Sequence, residues 1–225
     1  MELLLDTADL GKIRECYEIL DVKGVTTNPS ILARTVKDNP YRELRLIKDF
    51  LAGVGGELYV QTLSNEKGGI IREAETLISL YGKDLFIKIP ATMEGLKAIK
   101  DLSRKGVRTT ATAVLSFPQG LYAALNGAVS LAVYCNRMEE QGIDYGKVIA
   151  DLKKAAPECR ILAASFRTMD QVRHAVLSGA ESCTVSPALI LSEINRRAVK
   201  DAVAGFESDW EKSFGEWSVT SLFSV

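Results

Sequence analysis

The chain has 225 residues, 47% hydrophobic and 25% charged, with a formal net charge of -1. That is the composition of an ordinary globular domain long enough to bury a substantial core. Near-neutral charge without a basic stripe gives no field for nucleic acid, and no apolar run reaches membrane-spanning length. The four cysteines, Cys16, Cys135, Cys159 and Cys183, show no CxxC spacing, and the N-terminus has no basic region followed by a long apolar stretch. Neither a disulfide framework, a zinc site nor a secretory leader is expected, and the expected compartment is a reducing cytoplasm. His174 is the only histidine, so any hydrolase built around a histidine base would have to use it.

In chain order, Leu3-Leu4-Leu5-Asp6 reads as a first strand. Thr7 is placed to cap the next helix, which carries Leu10, Ile13 and Tyr17 on one face. Gly24-Val25-Thr26-Thr27-Asn28-Pro29 reads as a second strand stopped by Asn-Pro, with a helix over 41–51 after it. Residues 57–61 form the third strand. Ser64 then opens a helix with Ile70, Ile71, Ala74, Leu77 and Ile78 that ends near Gly82. Leu85-Phe86-Ile87-Lys88-Ile89-Pro90 is the fourth strand, and Thr92 caps a helix containing Leu96, Ile99 and Leu102. Strands are expected at 107–113, 130–134, 160–165 and 181–185, and helices at 119–125, 145–155 and 169–177. A last helix spans about 194–214, with Val199, Val203, Phe206, Trp210 and Phe214 recurring at helical spacing. That stripe must cover something, on its own barrel or on a neighbour, and the tail 217–225 keeps Trp217, Leu222 and Phe223 for docking as well.

Eight strand-helix units with short links imply a parallel sheet, and eight favour a closed (β/α)8 TIM barrel over a doubly wound open sheet. There is no GxGxxG after the first strand, and Gly53-Val54-Gly55-Gly56 precedes a strand and reads as a turn. The barrel is assigned to residues 1–190, and residues 191–225 to an extra C-terminal helix and tail.

Lys88 stands between isoleucines, where an isolated ammonium is costly to desolvate. Burial lowers a lysine pKa and leaves a neutral amine able to attack a carbonyl. The sharp reading is a Schiff-base lysine. The plain alternative is a lysine on an edge strand, placed to discourage aggregation. In a barrel, reactive groups collect at the C-terminal strand ends. Asp6, Asn28, Gln61, Lys88, Thr112, Tyr134 and Ser165 all fall at or next to such ends. Each alone reads as a cap or turn residue; their shared rim argues for a site. Lys88 would form a carbinolamine and then an imine with a ketone. Asp6 would position Lys88 or handle the proton of a sugar hydroxyl. Gln61, Thr112 and Tyr134 would hold one water and relay protons, while Thr26 and Asn28 bond substrate hydroxyls. A second cluster, Asn136-Arg137 and Ala164-Ser165-Phe166-Arg167-Thr168, follows the sixth and seventh strands. Two guanidinium groups and a serine hydroxyl suit a phosphate dianion, the alternative being arginines paired with Glu139, Glu140 or Asp170.

With these residues in view, the chain resembles the transaldolase family, in particular its small fructose-6-phosphate aldolase branch. The resemblance is carried by Leu5-Asp6-Thr7, Gly24-Val25-Thr26-Thr27-Asn28-Pro29-Ser30, Ile87-Lys88-Ile89-Pro90, Glu94-Gly95-Leu96-Lys97-Ala98-Ile99 and Ala111-Thr112-Ala113. It continues through Gln119-Gly120-Leu121, Tyr134-Cys135-Asn136-Arg137 and Ala163-Ala164-Ser165-Phe166-Arg167-Thr168. It implies a (β/α)8 class I aldolase without cofactor or metal, with Lys88 as the Schiff-base lysine, Asp6 as the catalytic aspartate and Thr112 holding the catalytic water. Ala132 joins Thr26 and Asn28 among the implied substrate-binding positions, and Arg137, Ser165 and Arg167 match the phosphate-binding ones. The implied partners are a small-molecule sugar phosphate and further copies of the chain, as a pentamer or decamer with the C-terminal helix packed on a neighbour. Transaldolases proper typically carry glutamate where this chain has Gln61, and phenylalanine where it has Tyr134, so this pair looks like the aldolase branch. Arg167 departs toward the transaldolases, where the aldolase branch has lysine, and Leu115-Ser116-Phe117-Pro118 and Leu131-Ala132-Val133 also differ from that branch. Three functions stay open at this point: a fructose 6-phosphate aldolase, a transaldolase or sulfonated-ketose relative, and a non-catalytic sugar-phosphate-binding barrel.

Overall fold

The computed structural model describes residues 1–215, 218 and 220. Eight strands close a barrel in sequence order, every neighbouring pair parallel: β1 (Glu2–Asp6), β2 (Gly24–Thr26), β3 (Glu57–Gln61), β4 (Phe86–Pro90), β5 (Thr109–Val114), β6 (Ser130–Tyr134), β7 (Arg160–Ala164) and β8 (Ser182–Val185). The expected (β/α)8 barrel is therefore the fold. Closure leaves no sheet edge, so β4, paired with β3 and β5, cannot hold Lys88 as an edge-strand lysine.

Eleven helices are present among the described residues: α1 (Leu10–Ile19), α2 (Pro29–Thr35), α3 (Pro40–Val54), α4 (Lys67–Tyr81), α5 (Met93–Arg104), α6 (Phe117–Leu125), α7 (Cys135–Glu139), α8 (Tyr145–Ala155), α9 (Met169–Leu177), α10 (Pro187–Ile194) and α11 (Arg197–Phe214). Three of them are not expected from the sequence. The Asn-Pro pair taken to stop a strand instead starts α2: Asn28 is the N-cap, its side chain accepting from Ile31 N, and Pro29 takes the first helical turn, where a missing N–H costs nothing. The short α7 follows β6 without a break, and α10 precedes the terminal helix, which begins at Arg197 rather than 194. Two caps also move. Asp9, not Thr7, caps α1, while the Thr7 hydroxyl accepts from Asp9 N at 3.1 Å. Helix α4 begins at Lys67, and Ser64 N donates to the Glu73 carboxylate instead of Ser64 opening the helix.

Alternate residues of each strand face opposite sides of the barrel wall. Leu5, Val25, Leu58, Ile87, Ile89, Leu131, Val133 and Ile161 are buried on the face opposite Asp6, Lys88 and Tyr134, the side covered by helices. Leu4, Tyr59, Phe86, Ala132 and Leu162, drawn from five strands, pack into one cluster with Tyr134 against it. Side chains from β1, β3, β4, β6 and β7 can meet only inside the barrel. Tyr59 and Phe86 stack there with ring centroids 4.3 Å apart.

Beneath that layer, toward the N-terminal ends of the strands, lies a charged floor. Arg160 donates to both oxygens of Glu57 at 2.7 and 3.2 Å and to Tyr59 Oη at 2.8 Å, and pairs with Glu2 at 3.4 Å. Arg108 lies over the Phe86 ring, 4.4 Å from its centroid. Burial works against the Glu57 charge, but hydrogen bonds from Arg160 and Tyr59 and the charges of Arg160 and Lys23 outweigh it, so the carboxyl titrates below its ordinary value.

The chain divides into two compact units, Met1–Pro187 and Ala188–Val225. In the second, α11 buries none of its side chains, and Val199, Val203, Phe206, Trp210 and Phe214 are all exposed. Trp210 and Phe214 pack ring on ring with centroids 4.7 Å apart. The three tail residues expected to dock, Trp217, Leu222 and Phe223, lie outside the described residues. No helix among the described residues is long and apolar enough to cross a membrane.

The floor makes acid stability a test of the fold. A carboxyl whose folded pKa is lowered contributes stability that is present above the ordinary value of about 4.3 and is lost as pH falls through the lower folded value. Glu57→Gln is therefore expected to lower the urea midpoint at neutral pH and to flatten the loss of stability on acidification. Urea titrations of both proteins across that range check it, and an unaltered acid limb would exclude the floor as its source.

Candidate active site

The C-terminal rim gathers the polar residues one step above the apolar layer. Asp6 sits two residues beyond Leu4, Gln61 beyond Tyr59, Lys88 beyond Phe86 and Tyr134 beyond Ala132, so each shares the inward face of the core residue below it. Gln61 is directly opposite Lys88 on the neighbouring strand, and Pro90 opposite Thr112. Gly95 lets α5 start hard against the end of β4, since a Cβ there would stand 1.9 Å from Pro90 O.

Lys88 is 3% exposed, and its Nζ donates to Thr27 O at 2.9 Å. Burial pushes its pKa below the ordinary value, with the nearby Asp6 charge pulling the other way. Asp6 is displaced in the complementary direction. Burial raises it, while Lys88, the Thr26 hydrogen bond and Arg34 oppose the rise. The two groups feel each other's charge without forming a direct ion pair. Both shifts favour the neutral amine and the neutral acid over the charged pair.

Asp6 is held by a chain of hydroxyls. Thr26 donates to Asp6 Oδ1 at 2.8 Å and lies 2.7 Å from the Thr184 hydroxyl. Thr26 has one hydrogen and Asp6 takes it, so Thr184 must donate to Thr26. Thr184 was not expected from the sequence, although its place in β8, one residue from the strand's end, could have marked it.

On the other wall, Thr112 donates to Tyr134 Oη at 3.0 Å, which leaves the phenolic hydrogen free to point elsewhere. Burial raises the Tyr134 pKa, the Thr112 bond and Arg137 oppose it and the Asp6 charge adds to it, so the ring stays a phenol at neutral pH. An extra residue in β5 helps to set this wall. The register runs Ala111 to Leu131 but Val114 to Val133, and Ala113 takes a left-handed conformation, φ 55°. Such a bulge re-aims neighbouring side chains at a cost in strain.

The second cluster is brought together across the β6 and β7 ends. Ser165, immediately after β7, is the other non-glycine residue with positive φ among the described residues, 62°, and its carbonyl accepts from Asn136 N at 3.0 Å. Arg137, on α7, pairs with Glu140 at 3.2 Å, one of the partners expected for it, and is largely exposed. Arg167 is exposed and makes no ion pair among the described residues. Asn28 commits its Oδ1 to the α2 cap, which leaves its amide N–H groups available. Ala132 lies below Tyr134 in the apolar layer. Gln61 borders a separate cavity of about 620 Å³ between β3, α2, α3 and α4, which Asp6, Lys88, Thr112 and Tyr134 do not line. No group of three or more His, Cys, Asp or Glu side chains arranged to hold a metal ion occurs among the described residues.

A parallel barrel with a buried amine, a carboxylate and a phenol at its C-terminal rim has the layout of a (β/α)8 enzyme. The sequence matches the family model Transaldolase/Fructose-6-phosphate aldolase over residues 3–217. The chain belongs to that family, and it is an enzyme of the aldolase/transaldolase kind. Among solved structures, one described as native KDPGal is similar in fold, with a TM-score of 0.58 and 13% identity over 83% of this chain and 82% of that one. Thiamine phosphate pyrophosphorylase from Pyrococcus furiosus is similar too, with a TM-score of 0.59 and 12% identity over 82% of this chain and 85% of that one. At such identities the likeness is one of fold.

The hydroxyl chain yields a test. Thr184→Val keeps the shape but removes the donor to a buried oxygen, which is expected to cost about 1 kcal/mol. It also weakens the support for the Asp6 carboxylate. The acidic limb of the kcat/KM profile should therefore move to higher pH, which a pH–rate series on both proteins reads directly.

Proposed function

We propose that the chain is a class I aldolase that cleaves and forms fructose 6-phosphate from dihydroxyacetone and glyceraldehyde 3-phosphate. The observation that carries this reading is Lys88: an amine almost wholly buried, lowered in pKa, and within the field of a carboxyl at the rim. Neutral Lys88 Nζ attacks the ketose carbonyl carbon C2 to give a carbinolamine, which loses water to become an imine. The protonated imine draws in the electron pair of the C3–C4 bond as a base removes the C4 hydroxyl proton. Asp6 fills that role or keeps Lys88 in place for it. Glyceraldehyde 3-phosphate departs and an enamine remains on Lys88. Tyr134, with Thr112 and Gln61 holding a water, protonates C3, and hydrolysis of the imine releases dihydroxyacetone. Thr26, Asn28 and Ala132 border the sugar, and Arg137, Ser165 and Arg167 receive its phosphate. The exposed apolar stripe of α11 supports a homo-oligomer, a pentamer or decamer, in which this helix packs on a neighbouring subunit.

Arg167 favours a second reading, since the resemblance places arginine there in transaldolases. In that reaction the same enamine passes to an aldose phosphate. Turnover with and without an acceptor separates the two: free dihydroxyacetone in the absence of any acceptor supports the aldolase, and product only in its presence supports transfer.

Borohydride in the presence of ketose is expected to fix one substrate unit on Lys88, and Lys88→Ala to abolish both adduct and turnover. The trapping rate should rise with pH and level off below 10.5, the ordinary lysine value. Peptide mapping of the adduct decides; a label on another lysine ends the assignment. Tyr134→Phe removes the free phenolic proton, so release of dihydroxyacetone should fall by about 100-fold while transfer to an added acceptor falls less. Product partitioning by chromatography measures the ratio.

A further inference from the structure

We propose that Gln171 is a positioning residue whose side-chain amide fixes the spacing between α7, which carries Arg137, and the segment after β7 that carries Ser165 and Arg167, and so sets the preference for a phosphorylated ketose. The inference rests on the reading that these three residues receive the anionic end of the substrate.

Gln171 lies in the first turn of α9 and is 6% exposed. Its Oε1 accepts from Arg167 N at 2.7 Å and Thr168 N at 3.4 Å. Its Nε2 donates to Asn136 Oδ1 at 3.0 Å and to the Glu139 carboxylate. Every hydrogen-bonding position of the amide is used. The orientation is therefore fixed, because the flipped amide would set oxygen against two oxygens and NH2 against two backbone N–H groups.

A helix-capping role explains only half of this. Thr168 and Gln171 form a capping box through Oε1 and the backbone. The Nε2 contacts lie outside it and reach α7, the helix that follows a different strand. From there the path continues: Asn136 Nδ2 donates to Glu140 Oε1 at 2.8 Å, and Arg137 Nη1 to Glu140 Oε2 at 3.2 Å. One line of hydrogen bonds thus runs from the backbone of Arg167 through Gln171, Asn136 and Glu140 to the guanidinium of Arg137. The direct tie between α7 and the segment after β7, Asn136 N to Ser165 O at 3.0 Å, lies beside it. Two guanidinium groups on separate segments can grip one dianion only when their separation is held.

The test uses the full chain with fructose 6-phosphate and unphosphorylated fructose as paired substrates, and inorganic phosphate as a competing anion. Gln171→Leu removes every amide contact at similar volume. Gln171→Glu keeps the acceptor for the cap but sets a carboxylate against Glu139. Both are expected to raise KM for fructose 6-phosphate and the inhibition constant of phosphate by about tenfold or more, with a smaller change in kcat and in KM for fructose. Adding Glu139→Gln to Gln171→Glu returns a donor to that contact and should recover part of the loss. If Gln171→Leu does not fold, judged by thermal melting, the Gln171→Glu pair decides. Equal rises in KM for both substrates, or no rise, would overturn the inference. Arg137→Ala with Arg167→Ala runs in parallel. If that variant loses the phosphate preference while the Gln171 variants keep it, only the role of Gln171 fails. If it keeps the preference, the anion-binding reading falls, and this inference with it.

Discussion

The structure turns on taking one amine out of water. Moving a lysine into a barrel interior disfavours its charged form, and here the cost is met by a changed protonation balance rather than by an ion pair. Lys88 donates to a backbone carbonyl at 2.9 Å, and Asp6 acts on it through space. Burial displaces both groups toward their neutral forms, and each is opposed by the other's charge. A protein that needed only stability would have no use for this arrangement.

The rest of the barrel keeps that pair in place. The stacked Tyr59 and Phe86 rings and Leu4, Ala132 and Leu162 form an apolar layer under the rim, and β1, β3, β4 and β6 each supply one residue to the layer and the next inward one to the rim. Register is therefore chemistry: a one-residue slip in β4 would send Lys88 toward the helices and place an isoleucine in the mouth. Among the described residues, the bulge in β5 and the left-handed Ser165 after β7 are the two places where a non-glycine residue bears positive-φ strain, and both lie at the same end of the barrel.

Much of this could be read from the sequence, because period-two patterning with terminal punctuation marks buried parallel strands well. Strands β3 and β6 and helices α8 and α9 lie where the pattern places them. The misses have physical causes. Asn28-Pro29 is equally a strand stop and a helix start, and only the tertiary position of Asn28 decides that its side chain caps α2. Helix α7 is five residues long, too short for a periodic signal. Within the site, residues at strand ends were visible one by one, but their partners were not. Thr184 reaches Thr26, and through it Asp6, across 158 residues of chain, and the Gln171 amide nitrogen reaches Asn136 on α7, 35 residues away.

The dry layer also makes the barrel a vessel open at one end. Side chains in that layer are at most 4% exposed, and charged groups close the floor below it. Any small molecule that reaches Lys88 and Asp6 must therefore come and go on the side of the layer away from that floor, so arrival and departure share one doorway.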